Sequence, residues 1–153
     1  MDTIDVKLLH LLAERADSTA TALSPQVNLS VPAVNKRIAR LKSSGLIRRF
    51  TVLTDSKQVG KPVLAFILLT LNQFGQEPAL MEYIRSDPDV LECYAVTGEY
   101  DYILKVCAAG TEALEEKLIR LKRCRGVAKS HTMLALLEHK FSPIPLPDYP
   151  KDI

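Results

Sequence analysis

The feature that most restricts the fold of this chain is the run KPVLAFILLTLNQ at residues 61–73, which has no charged side chain after its first residue. Its valine, isoleucine, phenylalanine and threonine residues and its Lys61-Pro62 entry favour a β-strand. An apolar run of this kind is typical of a strand that is covered on both faces. Its length is also compatible with a buried helix, which is the alternative that the run alone leaves open.

The segments after this run predict a helix and then two strands. The helix is predicted in GQEPALMEYIRSD (75–87), where apolar residues recur at helical spacing. The strands are predicted in PDVLECYAVTG (88–98) and DYILKVCAAG (101–110), which are rich in β-forming residues.

A second helix and a last strand complete the pattern. TEALEEKLIRLKRCRG (111–126) predicts a helix that is capped by Thr111 and ended by Gly126, and VAKSHTMLALLEH (127–139) predicts a strand. The order strand-helix-strand, repeated, is that of a ferredoxin-like βαββαβ domain, an antiparallel sheet with both helices on one face. The other face would expose apolar side chains in a monomer, so we expect self-association.

The first third of the chain predicts three short helices. The first begins near Asp2 and Asp5, two acids that suit the positive end of a helix dipole. The second follows Ser18, a candidate N-cap, and ends at Asn28, which tolerates the left-handed conformation. Because Pro25 lacks a backbone donor, we expect the second helix to be short or bent.

The third helix, in SVPAVNKRIARLKSSG (30–45), has an apolar side and a cationic side. Ser30 is its predicted cap and Gly45 its predicted end. The cationic side suits the major groove of DNA, since small residues allow close approach and lysine or arginine reaches phosphates and guanine edges. This side comprises Pro32, Ala33, Lys36 and Arg40, with Arg37 on its flank. The pattern predicts a helix-turn-helix, and LIRRFTVLTD (46–55) predicts a strand that forms a wing beside it.

The charge is distributed unevenly along the chain. Residues 1–55 hold eight Lys/Arg and five Asp/Glu, a net +3, whereas residues 56–153 hold twelve and thirteen, a net −1. Six basic residues and no acid lie within 30–50. A basic patch on a weakly charged chain indicates one surface for an anionic partner.

The stretch VTGEYDYILKV (96–106) is an unusual turn between two predicted strands. A hairpin needs Gly98 for its positive φ angle, but it needs neither the two acids nor the two tyrosines around it. In a binding site, Glu99 or Asp101 would hold an ammonium group of the ligand, and the amides near Gly98 would hold a carboxylate. The alternative is a solvated turn whose tyrosines pack on neighbouring subunits.

Three of these segments together resemble the Lrp/AsnC, or feast/famine, family of transcriptional regulators. They are IDVKLLHLLAERA, NLSVPAVNKRIARLKSSGLIRRFT and VTGEYDYILKV, and the resemblance covers about residues 2–142. It implies an α+β chain with a winged helix-turn-helix domain at 1–50, a linker strand at 51–61 and a ferredoxin-like (RAM) domain at 62–141. The remaining segment, 142–153, holds four prolines and is predicted to be an exposed tail. The resemblance also implies double-stranded DNA, a small effector such as an amino acid, and further copies of the chain as partners, in dimers or in octamers of four dimers.

The resemblance also implies which residues form the two sites. The DNA-binding set is Ser30, Pro32, Ala33, Lys36, Arg37 and Arg40. The effector-binding set is Thr97, Gly98, Glu99, Tyr100 and Asp101 of the turn, with Ser130, Thr132 and Leu134 of the last strand.

Other classes of protein fit the sequence less well. Three separated cysteines and three histidines show no metal-ligand spacing, so we expect free thiols, no metal and no cofactor. No apolar run approaches the ~20 residues that span a bilayer, and an acidic start is unlike a signal peptide, so we expect a cytoplasmic protein without membrane contact.

An enzyme resembling the sirohaem decarboxylases, which share the two-domain layout, is the second reading of the sequence, with His131 or Tyr100 as the candidate catalytic residue. No cluster of histidines or paired acids supports a catalytic site. A third reading is an assembly module that does not bind DNA.

Overall fold

The computed structural model describes residues 1–72 and 77–149. The chain divides into two compact units, Met1–Leu53 with Lys140–Ile153, and Thr54–His139. The first unit is helical and the second contains a four-stranded sheet, so the predicted α+β class is confirmed.

The first unit contains the three predicted helices, α1 (Thr3–Glu14), α2 (Ala20–Val27) and α3 (Val31–Ser43). Each helix buries one apolar stripe against the other two, which is what makes three short helices stable together. The core that they share consists of Leu8, Leu12, Leu23, Val27 and Val34.

Short-range hydrogen bonds set the ends of these helices. Asp2 caps α1 in a reciprocal capping box with Asp5, in which each carboxylate accepts from the other residue's backbone N–H. Thr19 and not Ser18 caps α2, since the Thr19 hydroxyl accepts from the N–H of Ala22 at 3.2 Å. Asn28 ends α2 in the predicted left-handed conformation, with φ 53°. The eight-residue α2 is as short as the proline within it predicted.

The strand predicted over 46–55 is not formed. The whole segment 44–62 consists of turns and irregular backbone. A strand exists only as part of a hydrogen-bonded ladder, and among the described residues this segment pairs with none of the four strands. The prediction of a linker strand over 51–61 is therefore wrong for the single chain.

The second unit has the ferredoxin-like order of strands and helices. Its elements are β1 (Val63–Leu71), α4 (Pro78–Ser86), β2 (Val90–Ala95), β3 (Tyr102–Ala108), α5 (Thr111–Arg123) and β4 (Val127–Leu134). The sheet order is β2-β3-β1-β4 and every pair is antiparallel, as predicted.

One face of this sheet forms the core with both helices. Ala65, Ile67 and Leu69 of β1 are fully buried, and Leu104 and Val106 of β3 lie beside them. Leu80 of α4 and Leu114 and Leu121 of α5 pack into the same cluster. The alternate residues of β1 are only half-buried, so the expectation of a strand covered on both faces is wrong for the single chain.

Several helix and strand boundaries in the structure differ from the predicted ones. Thr111 is the first residue of α5 rather than its cap, which is the extended Gly110 without a side-chain hydrogen bond. Residues 135–139, predicted as strand, extend beyond β4 without strand structure, although the N–H of Ala135 still donates to the carbonyl of Leu64 at 2.9 Å. Parts of two predicted elements, at 73 and 75–76, lie outside the described residues.

The described part of the proline-rich tail, residues 142–149, is not wholly exposed as predicted, and residues 150–153 lie outside the part of the chain that the structure describes. His10 Nε2 donates to the carbonyl oxygen of Pro147 at 2.9 Å, and the ring of Tyr149 lies 4.3 Å from the His10 ring, centroid to centroid. The tail thus packs on α1 of the first unit.

Candidate DNA-reading surface and effector site

The helix α3 is anchored at its start and along its back. The Ser30 hydroxyl accepts from the N–H of Ala33 at 3.4 Å, and Pro32 lies in the first turn, where a missing N–H costs nothing. Val34 and Leu41 are buried in the first unit. The side opposite them must therefore face solvent.

The exposed side of α3 differs slightly from the predicted one. Pro32, Lys36 and Arg40 are exposed as expected, but Ala33 is half-buried. Asn35 and Ala39, which were not predicted as contacts, are exposed instead. Val34 and Leu41 are the only buried residues of α3. A helical wheel centred on these two residues places Asn35 and Ala39 well away from the buried stripe, and could have predicted their exposure.

Two of the predicted DNA contacts are already engaged within the first unit. Arg37 Nη1 donates to both carboxylate oxygens of Asp2, at 2.6 and 2.8 Å, and to Asp5 Oδ1 at 2.8 Å. Arg40 Nη2 donates to Asp5 Oδ2 at 2.6 Å. Only 23% of the Arg37 side chain is exposed, against 60% for Arg40, while the shared Asp5 is 1% exposed. Hydrogen bonding to Arg37 holds the pKa of Asp2 below its usual value. Lys36, by contrast, has no ion pair among the described residues.

The acidic turn lies where β1 ends. Gly98 has φ 114°, the conformation for which glycine was predicted. The N–H of Asp101 donates to the carbonyl of Leu69 at 2.9 Å, and Asp101 Oδ2 accepts from the N–H of Leu71 at 2.7 Å. The carboxylate of Asp101 therefore ties the turn to β1. Glu99 is exposed and has no hydrogen-bond partner among residues 1–72 and 77–149.

The last strand reaches the same end of the sheet. Ser130 and Thr132 lie opposite Leu69 and Ile67 in the β1–β4 ladder, and both are half-buried. Thr97, Gly98 and Glu99 are exposed, whereas Tyr100 is half-buried with its ring 6.2 Å from the ring of His131. The structure thus brings the turn and β4 together through Tyr100. Leu134, 49% exposed, lies further along β4, opposite Ala65 and away from the turn.

A cluster of charged side chains lies at the opposite end of the sheet. Lys117 Nζ of α5 contacts both oxygens of Asp87, at 2.6 and 2.8 Å, and Asp89 Oδ2 at 3.0 Å. Lys61 also pairs with Asp89, and Tyr83 donates to Asp87 at 3.0 Å. Burial raises the pKa of Asp87, but the hydrogen bonds from Lys117, the Asp89 N–H and Tyr83, together with the charge of Lys117, outweigh burial, and the net pKa is low. The pKa of Asp89 is lowered chiefly by Lys61. This cluster was not predicted, because its two lysines, Lys61 and Lys117, are far in sequence from its two aspartates.

The described residues offer little for metal or thiol chemistry. No three His, Cys, Asp or Glu among them come together as metal ligands. The cysteines Cys93, Cys107 and Cys124 are free, and burial raises the pKa of each thiol, which disfavours the reactive thiolate.

Sequence comparison connects both units to known proteins. The profile of the Lrp/AsnC ligand binding domain matches residues 64–145, and that of a winged helix-turn-helix DNA-binding domain matches residues 1–48. The chain belongs to the Lrp/AsnC family. The HTH-type transcriptional regulator FL11 of Pyrococcus horikoshii is 30% identical over 140 residues, which are 92% of either chain. The HTH-type transcriptional regulator LrpA of Mycobacterium tuberculosis is 33% identical over 137 residues, 88% of this chain and 89% of its own length.

Solved structures agree with this assignment. A transcriptional regulator from Neisseria meningitidis, solved as its L-Met complex, superposes with a TM-score of 0.90 at 28% identity, covering 95% of this chain and 96% of its own. Escherichia coli AsnC superposes with a TM-score of 0.87 at 25% identity, covering 94% and 97%.

Family membership decides between the readings of the sequence. The protein is a DNA-binding transcriptional regulator with a ligand-binding domain, and not an enzyme. The sirohaem-decarboxylase reading and the reading as an assembly module without DNA are thereby set aside. Among the described residues, no helix has the length and apolar character that crossing a membrane requires.

Proposed function

We propose that the exposed side of α3 enters the major groove of double-stranded DNA, with Lys36 as its leading cation. The observation that carries this proposal is that Lys36 is exposed and has no ion pair within residues 1–72 and 77–149, on a helix whose back, at Val34 and Leu41, is buried. Small side chains at the start of the helix allow the backbone to approach the bases. The proposed contacts are Ser30, Pro32, Ala33, Lys36 and the exposed end of Arg40; Arg37, the sixth predicted contact, lies beside them.

Lys36→Ala tests this proposal. Loss of one phosphate contact should reduce the slope of log affinity against log salt by about 0.9 in fluorescence anisotropy with a DNA duplex. Lys122→Ala removes the same charge from the exposed side of α5 and serves as the control. Equal effects of the two variants would show that net charge, rather than α3, governs binding.

The turn and β4 are the proposed site for a small effector, an amino acid. The half-buried Ser130 and Thr132 and the exposed turn offer hydroxyls and amides for a carboxylate. Because Asp101 is engaged with Leu71, Glu99 is the better acceptor for an ammonium group. The L-Met complex of the Neisseria meningitidis relative supports an amino acid as the ligand class. Thr97, Gly98, Tyr100 and Leu134 complete the proposed site.

Thermal-shift titration with each amino acid tests the effector site. The best ligand should stabilise the wild type and should lose most of its effect on Glu99→Gln. Glu82→Gln, an exposed acid on α4, provides the matched control. If no amino acid shifts the melting temperature, an amino-acid effector is excluded.

The open face of the sheet is proposed to bind a second copy of the chain. Phe66 and Leu68 lie on this face, half-buried, with Ile103 beside them. Met133 and Tyr94 on the same face are 45% and 57% exposed, and Leu136 beyond β4 is 94% exposed. A contiguous apolar surface of this kind marks an interaction site. The dimer would pair two α3 helices with DNA half-sites about 34 Å, one helical turn, or a multiple apart, and an octamer of four dimers is its proposed larger assembly.

Light scattering after size exclusion tests self-association. Phe66→Glu places a charge on the open face and should give monomers, while Ile119→Glu, on exposed α5, should not. A monomeric wild type would contradict the proposal. We further propose that the effector changes the assembly or the spacing of the paired α3 helices, with a coupling of about 1–3 kcal/mol. The cytoplasm is the proposed location of the protein.

A further inference from the structure

The α1–α3 ion pairs have a consequence for DNA recognition that the contacts on α3 alone do not show. Asp5 is 1% exposed and divides its two oxygens between Arg37 and Arg40. Asp2 also accepts hydrogen bonds from Nη1 of Arg37. Two of the six cations in residues 30–50 are therefore neutralised by Asp2 and Asp5, which lie more than 30 residues earlier in the chain.

We propose that Asp5, assisted by Asp2, is a positioning residue that limits how α3 contacts DNA phosphates. The carboxylates of Asp2 and Asp5 keep Arg37 against α1. Asp5 also holds Arg40 at the edge of the exposed side. This inference rests on DNA contact by α3, as proposed above.

The physical reason lies in how specific and non-specific binding differ. Non-specific binding is almost wholly electrostatic, and each neutralised phosphate adds about 0.9 to the salt slope. Specificity comes from base contacts and from shape. A cation that is free to move reaches a phosphate in any orientation of α3 on DNA, whereas a held cation contributes only in the orientation that the base contacts require. Holding Arg37 and Arg40 against Asp5 therefore weakens non-specific binding more than specific binding, which raises the ratio of specific to non-specific affinity.

The geometry suits this role better than simple capping. Asp5 completes the capping box of α1 from its N3 position by accepting from the Asp2 N–H, a role that a neutral amide side chain also fills. The burial of a carboxylate is costly unless charged partners satisfy it. Its two arginine partners come from the DNA-reading helix, one at each oxygen, which ties the orientation of α3 to α1.

The decisive experiment measures the binding of Asp5→Asn to a short DNA duplex of random sequence by fluorescence anisotropy. Asn keeps the shape and one acceptor oxygen but loses the charge, so Arg40 is released. The salt slope should steepen by about 0.9, which makes the loss of affinity between about 50 and 200 mM salt about 3.5-fold larger than for the wild type. The ratio of affinities for a duplex selected from a random library and for the random duplex should fall.

Controls separate release of Arg40 from other effects. Asp17→Asn removes the same charge from the first unit, where Asp17 pairs with the exposed Arg15 at 3.5 Å and with no other cation that the structure describes. This variant should leave the slope unchanged. Asp5→Asn combined with Arg40→Gln should return the slope for the random duplex to the wild-type value, because Arg40 held by Asp5 neutralises no phosphate of that duplex in the wild type. Asp2→Asn, at a residue whose side chain is 51% exposed, frees Arg37 in part and provides a second test if Asp5→Asn is poorly folded by circular dichroism.

The outcomes distinguish the two proposals. A wild-type slope in folded Asp5→Asn and Asp2→Asn, or an equal change in Asp17→Asn, overturns the positioning role. If the wild-type protein shows no salt-dependent binding to either duplex, DNA contact by α3 fails and the positioning role fails with it.

Discussion

The buried charge cluster of the second unit leads to the most quantitative prediction. Lys117 places its ammonium between Asp87 and Asp89, and the side chains of the three residues are only 13%, 10% and 20% exposed. In Lys117→Met the two carboxylates keep their negative charges but lose the cation that they share. Breaking a buried ion pair from one side costs about 3–5 kcal/mol.

The structure places the cost at the lower end of this range. Asp89 still pairs with Lys61, and Asp87 still accepts from Tyr83 and from the backbone N–H of Asp89. We therefore expect Lys117→Met to lower the free energy of unfolding by about 3 kcal/mol at pH 7. Urea unfolding followed by circular dichroism at fixed protein concentration measures this difference.

The effect depends on pH in a direction that follows from the pKa shifts. Both aspartates have pKa values below the usual 3.8 in the folded protein, so their ion pairs stabilise it above about pH 4. This stability disappears as the pH falls through the lowered pKa values. The difference between wild type and Lys117→Met should therefore shrink below about pH 4.

A neighbouring surface pair provides the control. Arg120 lies 4.0 Å from Glu116 on the same helix, and both side chains are more than 60% exposed. Arg120→Met should cost less than about 0.5 kcal/mol. A Lys117→Met variant within about 1 kcal/mol of the wild type at pH 7, or a difference at about pH 3 as large as that at pH 7, would refute the reasoning.

Three further predictions concern single residues. Asn28→Ala should destabilise the first unit by about 1 kcal/mol because alanine is strained at positive φ, whereas Asn28→Gly should not; urea unfolding compares them, and equal losses would contradict the argument. Asp101→Ala should speed hydrogen exchange at the Leu71 amide, since its acceptor is lost at a cost of about 1–3 kcal/mol; unchanged exchange would show that this hydrogen bond is unimportant. Leu8→Ala, at a fully buried position, should lower the free energy of unfolding by about 3 kcal/mol, and Leu46→Ala, at a 49% exposed one, by less than about 0.5 kcal/mol; similar losses would contradict the assignment of the core.

Local features of the structure followed closely from the sequence. Capping at Ser30, the left-handed Asn28 and the positive φ of Gly98 depend on residues within a few positions of each other. The sheet order followed because strand-helix-strand repeats have few allowed topologies. Errors occurred where a choice depends on small differences in energy, as between Ser18 and Thr19 for the cap of α2.

Effects at longer range were decided only by the tertiary structure. The sequence determined that α3 carries cations, but the pairing of Arg37 with Asp2 and Asp5 depends on how α1 packs against it. The sequence placed two acids in the turn, but folding engages Asp101 with Leu71, 30 residues earlier, and leaves Glu99 exposed. Periodicity reports which side of an element is apolar, whereas the partner of a charge depends on distances of a few ångströms between residues that only the folded chain brings together.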